Sequence, residues 1–165
     1  MKRKNLIILR VFMTSSQLVI SSDSLVEIDE MCVSEAGGDA PREICGFLVG
    51  QIKENQYFVH FGLGVQNSAE RDQHHRYQIS TEAFVEAERL LQMQKLHIIG
   101  IFHSHPNGQA LPSQLDIDYF FPGWIYLIIG VSAHGVNDRR AFQLSGFGEG
   151  GIVEVGITMN DNDIS

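Results

Sequence analysis

Apolar positions along the chain change period several times, and each change predicts an element. Leu25, Ile28 and Cys32 recur at helical spacing, and Ser24-Leu25-Val26-Glu27 has the form of a capping box. A helix is therefore predicted from Ser24, stopping near Gly37-Gly38. Residues 43–50 (EICGFLVG) are short, apolar and bounded by glycine, which predicts a buried strand. Residues 56–60 form its hairpin partner across Lys53-Glu54-Asn55, residues 62–68 extend the meander, and residues 66–78 read as polar loop. Ser80 caps a second helix with Phe84, Ala87 and Leu91 on one face. Residues 96–102 (LHIIGIF) predict a strand by their β-branched content, and Pro112-Ser113 opens a short third helix. Residues 124–132, 140–144 and 152–159 supply three more strands. The mixture predicts an α/β (α+β) fold with a sheet flanked by helices.

Length and charge narrow the function. The 165 residues, 44% of them hydrophobic, suffice for one domain with a real core, placed at residues 17–165 behind an N-terminal extension over residues 1–16. Met1-Lys2-Arg3-Lys4 before Leu6-Ile7-Ile8-Leu9 imitates a signal-peptide start, but Arg10 interrupts the apolar run and no clear cleavage site follows. Residues 124–131, the longest apolar stretch, fall far short of the ~20 needed to cross a bilayer, so no membrane association is expected. A net charge of −8 makes nucleic acid a poor partner. Cys32 and Cys45 form neither a disulfide framework nor a Cys-x-x-Cys, which points to a reducing compartment, the cytoplasm.

The chemistry concentrates at His103-Ser104-His105-Pro106. Two histidines two residues apart at a strand end point their imidazoles to one face. Such a pair suits Zn²⁺, bound through nitrogen at about 2.0–2.1 Å. Pro106 is expected to end strand pairing, and the chain returns through Leu111-Pro112-Ser113 to a helix start that could carry Asp116 back as a third ligand. Three ligands leave a position open, as catalytic sites do. A His-x-His pair also ends ordinary strands, and Ser113-x-x-Asp116 is also a plain N-cap with an acid in the first turn. A hydrolytic zinc site needs a base, and Glu43, set directly before an apolar strand, is the best placed carboxylate, although a strand-end acid needs no such role.

Taken jointly, Glu43 with Cys45-Gly46 and Gly50, His103-Ser104-His105-Pro106, Ser113 and Asp116 resemble the JAMM (MPN-plus) zinc metallopeptidases. The Glu-x-Cys-Gly form and small size resemble the bacterial and archaeal single-domain branch, which acts on ubiquitin-like sulfur-carrier proteins or removes residues beyond their Gly-Gly ends. The resemblance implies a JAMM/MPN-like central mixed β-sheet flanked by helices in a cytidine-deaminase-like arrangement. It implies Zn²⁺ on His103, His105 and Asp116, Glu43 handling the attacking water's proton, and Ser113 hydrogen-bonding the oxyanion. Cys45 is expected to pack, not react. The implied activity is hydrolysis of a peptide or isopeptide bond at the Gly-Gly tail. Two rivals stand beside it: a non-catalytic MPN-type interaction module, and a RadC-like DNA-associated protein, which Asn107-Gly108 echoes.

Other signals lead elsewhere. Gly146-x-Gly148-x-x-Gly151 matches a dinucleotide fingerprint by letters, but a strand pattern follows where a helix is required. His74-His75 reads as a solvated loop pair, and His60, His97 and His134 lack partner spacing.

Overall fold

The computed structural model describes residues 16–37, 39–145 and 151–161. Its elements run β1 (Gln17–Ile20), α1 (Ser22–Ser34), β2 (Cys45–Lys53), β3 (Gln56–Val65), α2 (Thr81–Gln92), β4 (His97–Pro106), α3 (Gln114–Asp118), β5 (Ile125–Ser132), β6 (Gly135–Leu144) and β7 (Ile152–Met159). The strands close into one barrel in the order β1-β3-β2-β4-β5-β6-β7. β4 runs parallel to β5, and β1 runs parallel to both β3 and β7, so the sheet is mixed. The expected mixed sheet with helices is present, and its strands close on one another.

Side-chain alternation explains the continuous apolar runs. In β5, Ile125, Leu127, Ile129 and Val131 point into the principal core, while Tyr126 and Ile128 pack on the other face with Phe120 and Phe142. In β2, Leu48 joins the principal core, whereas Phe47 and Val49 meet Ala87 and Leu91 of α2. Strands covered on both faces lose the polar alternation of a half-exposed strand. α1 lays Leu25, Ile28 and Cys32 into the principal core. It is tied to the barrel wall by Asp29, whose carboxylate accepts from Arg139 Nε at 2.9 and 3.0 Å.

Several expectations shift. The N-cap of α1 is Ser21, not Ser24: Ser21 holds the extended conformation and its Oγ accepts from Ser24 N at 3.2 Å. Ser24 lies in the first turn and its hydroxyl donates to His60 O at 2.7 Å. The helix ends at Ser34, capped at Glu35, ahead of the expected glycine stop; Gly38 lies outside the described residues. β1 was not anticipated, because four residues are too few to display a period; its pairing with β3 and β7 is what closes the barrel. β3 is continuous over both expected pieces, and β6 begins at Gly135 because its polar first half is held by pairing with β5. β4 runs on past residue 102, so both histidines lie within the strand. Pairing with β2 ends at His103, but Pro106 stays in register with Val131 of β5, so proline does not end the strand on that side. The turn comes at Asn107, with φ of 55°. Except for Ser16, the expected extension lies outside the described residues, as does most of the Gly146–Gly151 pattern. No helix among the described residues is long and apolar enough to cross a membrane.

Close packing of β4 on β5 yields a paired prediction. A Cβ on Gly100 would lie 2.0 Å from Ile125 O, whereas one on Gly156 of β7 meets nothing within 4 Å. Overpacking costs about 1–3 kcal/mol, so Gly100→Ala should lower the thermal midpoint by roughly 5–10 °C. Gly156→Ala should leave it unchanged or raise it. Thermal melts followed by circular dichroism compare the two.

Candidate metal centre

The centre is built at the end of β4. The strand's period of two places His103 and His105 on one side, with their Nε2 atoms 3.0 Å apart. His103 is fully buried, and the Tyr77 ring lies against it at 4.5 Å between centroids. Its Nδ1 has no hydrogen-bond partner among the described residues, so packing holds this ring. His105 is held by a hydrogen bond. Its Nδ1 lies 3.1 Å from Gln109 O. A carbonyl only accepts, so Nδ1 carries a proton, and Nε2 is the ring atom turned toward His103 and Asp116.

The third group arrives on the shortest helix. Ser113 caps α3 in a reciprocal capping box. Its Oγ accepts from Asp116 N at 3.2 Å, while Asp116 Oδ2 accepts from Ser113 N and from Ser113 Oγ, each at 2.7 Å. The box aims the Asp116 carboxylate at the histidines, with Oδ1 3.2 Å from His103 Nε2 and Oδ2 3.4 Å from His105 Nε2. Among the described residues, His103, His105 and Asp116 are the group able to hold a metal ion.

Glu43 stands on the neighbouring segment, buried, with Oε1 3.9 Å from His105 Nε2. It lies before β2 rather than within it. Ser104, the residue between the histidines, sets its place: Ser104 N donates to Ile44 O and Ile44 N donates to Ser104 Oγ, both at 2.9 Å. Glu43 N also donates to Gln73 O at 2.8 Å, and Asn67 Nδ2 donates to Glu43 O at 3.1 Å. Asn67, Gln73, Tyr77 and Gln109 therefore support the centre and carry no motif by which sequence could have found them. Cys45, paired in register with His103, is buried and its thiol is pushed up to about 12 by burial and then by Glu43, which suits packing rather than reactivity. Residues 60, 97 and 134 contribute nothing to the cluster, and His74 instead sets its Nδ1 2.8 Å from Pro41 O.

Electrostatics sort these groups. Burial pushes the Glu43 carboxyl up to about 8, offset in part by His105 and reinforced by Asp116 and Asp72. Burial also acts upward on Asp116, but hydrogen bonds from His103 and His105 and from Ser113 prevail and hold it well below the carboxylate range. His103 is lowered by burial. On His105 burial acts downward but is outweighed by Asp116 and Glu43, so its pKa is raised.

The donor set fits a divalent metal. A tetrahedral ion with bonds of about 2.0–2.1 Å holds its ligand atoms roughly 3.3 Å apart. The separations of 3.0, 3.2 and 3.4 Å among the two Nε2 atoms and the carboxylate oxygens match that spacing. Glu43 lies outside this set of three, with Oε1 3.9 Å from His105 Nε2.

The Ser104 bridge generates a prediction. Ser104→Ala leaves the Ile44 amide without its acceptor in a buried setting, which costs about 1–3 kcal/mol. Urea unfolding of the two proteins should show that loss, with an unchanged slope.

Similarities to known proteins agree with the geometry. A family model described as prokaryotic homologs of the JAB domain matches residues 28–145. A desampylase of Haloferax volcanii is 31% identical over 117 residues, which is 70% of this chain and 82% of that protein. A probable metalloprotease of the same organism is 48% identical over 50 residues, 30% of either chain. A solution structure of a protein from Desulfitobacterium hafniense shares the fold with a TM-score of 0.73 at 21% identity, covering 88% of this chain and 94% of that one. Another, from Salinibacter ruber, gives 0.61 at 25% identity over 87% and 92%. With the family model spanning most of the chain and the two histidines, serine and aspartate gathered as the JAMM pattern requires, the chain belongs to the prokaryotic homologs of the JAB domain and is a JAMM-type hydrolase.

Proposed function

We propose that the protein is a zinc-dependent metallopeptidase that hydrolyses a peptide or isopeptide bond at the C-terminal Gly-Gly tail of a ubiquitin-like, sulfur-carrier type protein. The observation that carries this is the convergence of His103, His105 and Asp116 at 3.0–3.4 Å with the buried Glu43 carboxylate 3.9 Å from His105. The relative named desampylase supports the substrate class, and the relative named a probable metalloprotease supports the metal. We place the catalytic domain at residues 17–165 and read the closed mixed sheet as a JAMM/MPN-like, cytidine-deaminase-like arrangement, with β1 as the closing strand. Cys32 and Cys45 are both free and buried, in keeping with a cytoplasmic setting.

His103, His105 and Asp116 would hold the zinc. When bound, it supplies Lewis acidity that polarises the scissile carbonyl and acidifies a water. Glu43 accepts the proton of the attacking water on a carboxylate oxygen and later returns it to the leaving amine. Its burial makes it a better base than an exposed carboxylate. Ser113 would stabilise the oxyanion, but its hydroxyl donates to Asp116 Oδ2, so it must turn away from that bond to do so. Asn67 and Ser104 keep Glu43 from drifting, through the backbone on either side of it. The RadC-like reading finds no support in a chain of net charge −8, and a purely structural module gives no reason for a buried acid beside two converging imidazoles.

Two measurements test the reading. The purified protein should hold about one Zn²⁺ per chain, and His103→Ala or Asp116→Ala should lose it by elemental analysis. Zinc kept in full by the double variant would remove the assignment. Glu43→Gln should keep the zinc and the binding of a Gly-Gly tail, yet lose roughly 10²–10⁴-fold in turnover. Turnover within about threefold of the unaltered protein would take Glu43 out of the mechanism.

A further inference from the structure

Two imidazoles meet at the metal centre, and they are held by different means. His105 Nδ1 has the carbonyl oxygen of Gln109 at 3.1 Å. His103 Nδ1 is buried and has no hydrogen-bond partner among the described residues. A metal-binding histidine ordinarily fixes its ring by donating the second N–H to a carboxylate or carbonyl, and that partner also tunes affinity. Nothing of the kind orients His103. A half-turn about its Cβ–Cγ bond would set a carbon where Nε2 now stands, 3.0 Å from His105 Nε2 and 3.2 Å from Asp116 Oδ1.

What lies against the His103 ring is Tyr77, its centroid 4.5 Å away and its plane tilted by 30°. A flat face at that distance blocks the edge-on passage that a half-turn needs. The contact is ring to ring, so the ring of Tyr77, not its hydroxyl, is the part that acts on His103. Tyr77 is in turn fixed on both flanks by Asn67. Asn67 Nδ2 donates to Arg76 O at 3.0 Å, and Asn67 Oδ1 accepts from Gln78 N at 3.1 Å. Ser68 adds two bonds to Gln78 O, from its N at 2.8 Å and from its Oγ at 2.9 Å. The same Asn67 Nδ2 donates to Glu43 O at 3.1 Å. One asparagine thus ties the segment bearing Tyr77 to the segment bearing Glu43. The loop that sequence reads as merely polar becomes a wall of the site.

We propose that Tyr77 is a positioning residue of the metal centre: its ring, held by Asn67, takes the place of the hydrogen bond that His103 lacks and keeps Nε2 aimed at the ion. The inference rests on the metal reading above and deepens it. The two ligating histidines then differ in what orients them, a carbonyl for His105 and a stacked ring for His103. Tyr77 also lines a cavity of about 650 Å³ beside the centre, with Asp116, Phe84, Phe121 and Trp124. The aromatic wall of that cavity has supports of its own. Phe84 and Trp124 stack at 6.1 Å, and Phe121 lies 5.8 Å from Trp124. Tyr126 Oη accepts from Phe121 N at 2.7 Å, and Tyr57 Oη donates to Gly123 O at 3.0 Å. Phe84 packs on Phe47 and Trp124, which makes it a matched control: an aromatic ring of the same cavity that is not stacked on a ligand.

The test needs no substrate. The full chain is stripped of metal and titrated with Zn²⁺ against a chromophoric chelator, with circular dichroism confirming the fold of each variant. Tyr77→Leu removes the flat face and should weaken zinc binding roughly 10- to 100-fold. Tyr77→Phe keeps the ring and should stay within about threefold of the unaltered protein, as should Phe84→Leu. Co²⁺ gives a second readout, because its visible absorption reports ligand geometry. That band should shift in Tyr77→Leu and hold in the other two. Should Tyr77→Leu fail to fold, Tyr77→Met fills the space without presenting a flat face and carries the same expected loss. Zinc affinity and a cobalt band unchanged in the leucine or methionine variant overturn the proposal and leave the zinc reading standing. Equal losses in Tyr77→Leu and Tyr77→Phe overturn it too, since the hydroxyl would then be the active part. So do equal losses in Tyr77→Leu and Phe84→Leu, which would make the effect one of general packing. If the unaltered protein binds neither ion, the zinc reading fails and the proposal falls with it.

Discussion

The pair of hydrogen bonds between Ser104 and Ile44 is the joint on which the centre depends. β4 supplies two imidazoles by its own pleat, but a strand cannot supply the carboxylate opposite them. That group must come from the segment leading into β2, where pairing with β4 has already run out at His103. Ser104 extends the register beyond the strand end, using its amide toward Ile44 O and its hydroxyl toward Ile44 N. A side chain does the work of a ladder bond there, and it does so from the position between the two histidines, where the pleat turns it away from them.

Around that joint the site separates its acids by environment. Asp116 sits among donors: two imidazoles and both the amide and hydroxyl of Ser113. Glu43 is buried with His105, Asp116 and Asp72 around it, and burial dominates. The two carboxyls are thereby biased in opposite directions, Asp116 toward its charged form and Glu43 away from it. The difference arises from which backbone each acid sits on, a helix cap in one case and a buried segment before a strand in the other.

The barrel makes this arrangement rigid. β4 and β5 run parallel at the centre with both faces covered, α1 on one and α2 with the 119–124 segment on the other. The histidines stand at the end of this doubly buried pair, His103 fully buried and His105 mostly so. Because the pair is close-packed, the aromatic cavity beside it keeps its shape through fixed walls, and Asn67 joins the loop wall to the Glu43 segment.

Whatever depends on local spacing was legible in the chain alone. A period of two put His103 and His105 on one face, and Ser113-x-x-Asp116 announced an N-cap with an acid in the first turn, which the structure completes as a reciprocal capping box. Apolar runs marked β2, β4 and β5 because burial on both faces leaves no polar alternation. Some local patterns still misled: Ser24-x-x-Glu27 imitates a cap that Ser21 performs, since the preceding strand decides where the helix begins. The rest waited for the tertiary structure. β1 is four residues long and acquires meaning only by pairing with β3 and β7. Glu43 was singled out by its odd position, yet its distance from His105 is set by bonds spanning 60 residues to Ser104 and 24 to Asn67. The aromatic wall of Phe84, Phe121 and Trp124 beside the centre carries no motif at all. Contacts between distant segments have no period in the sequence, so the residues of the candidate centre could be read from the chain, while the cavity beside it existed only once the chain had closed.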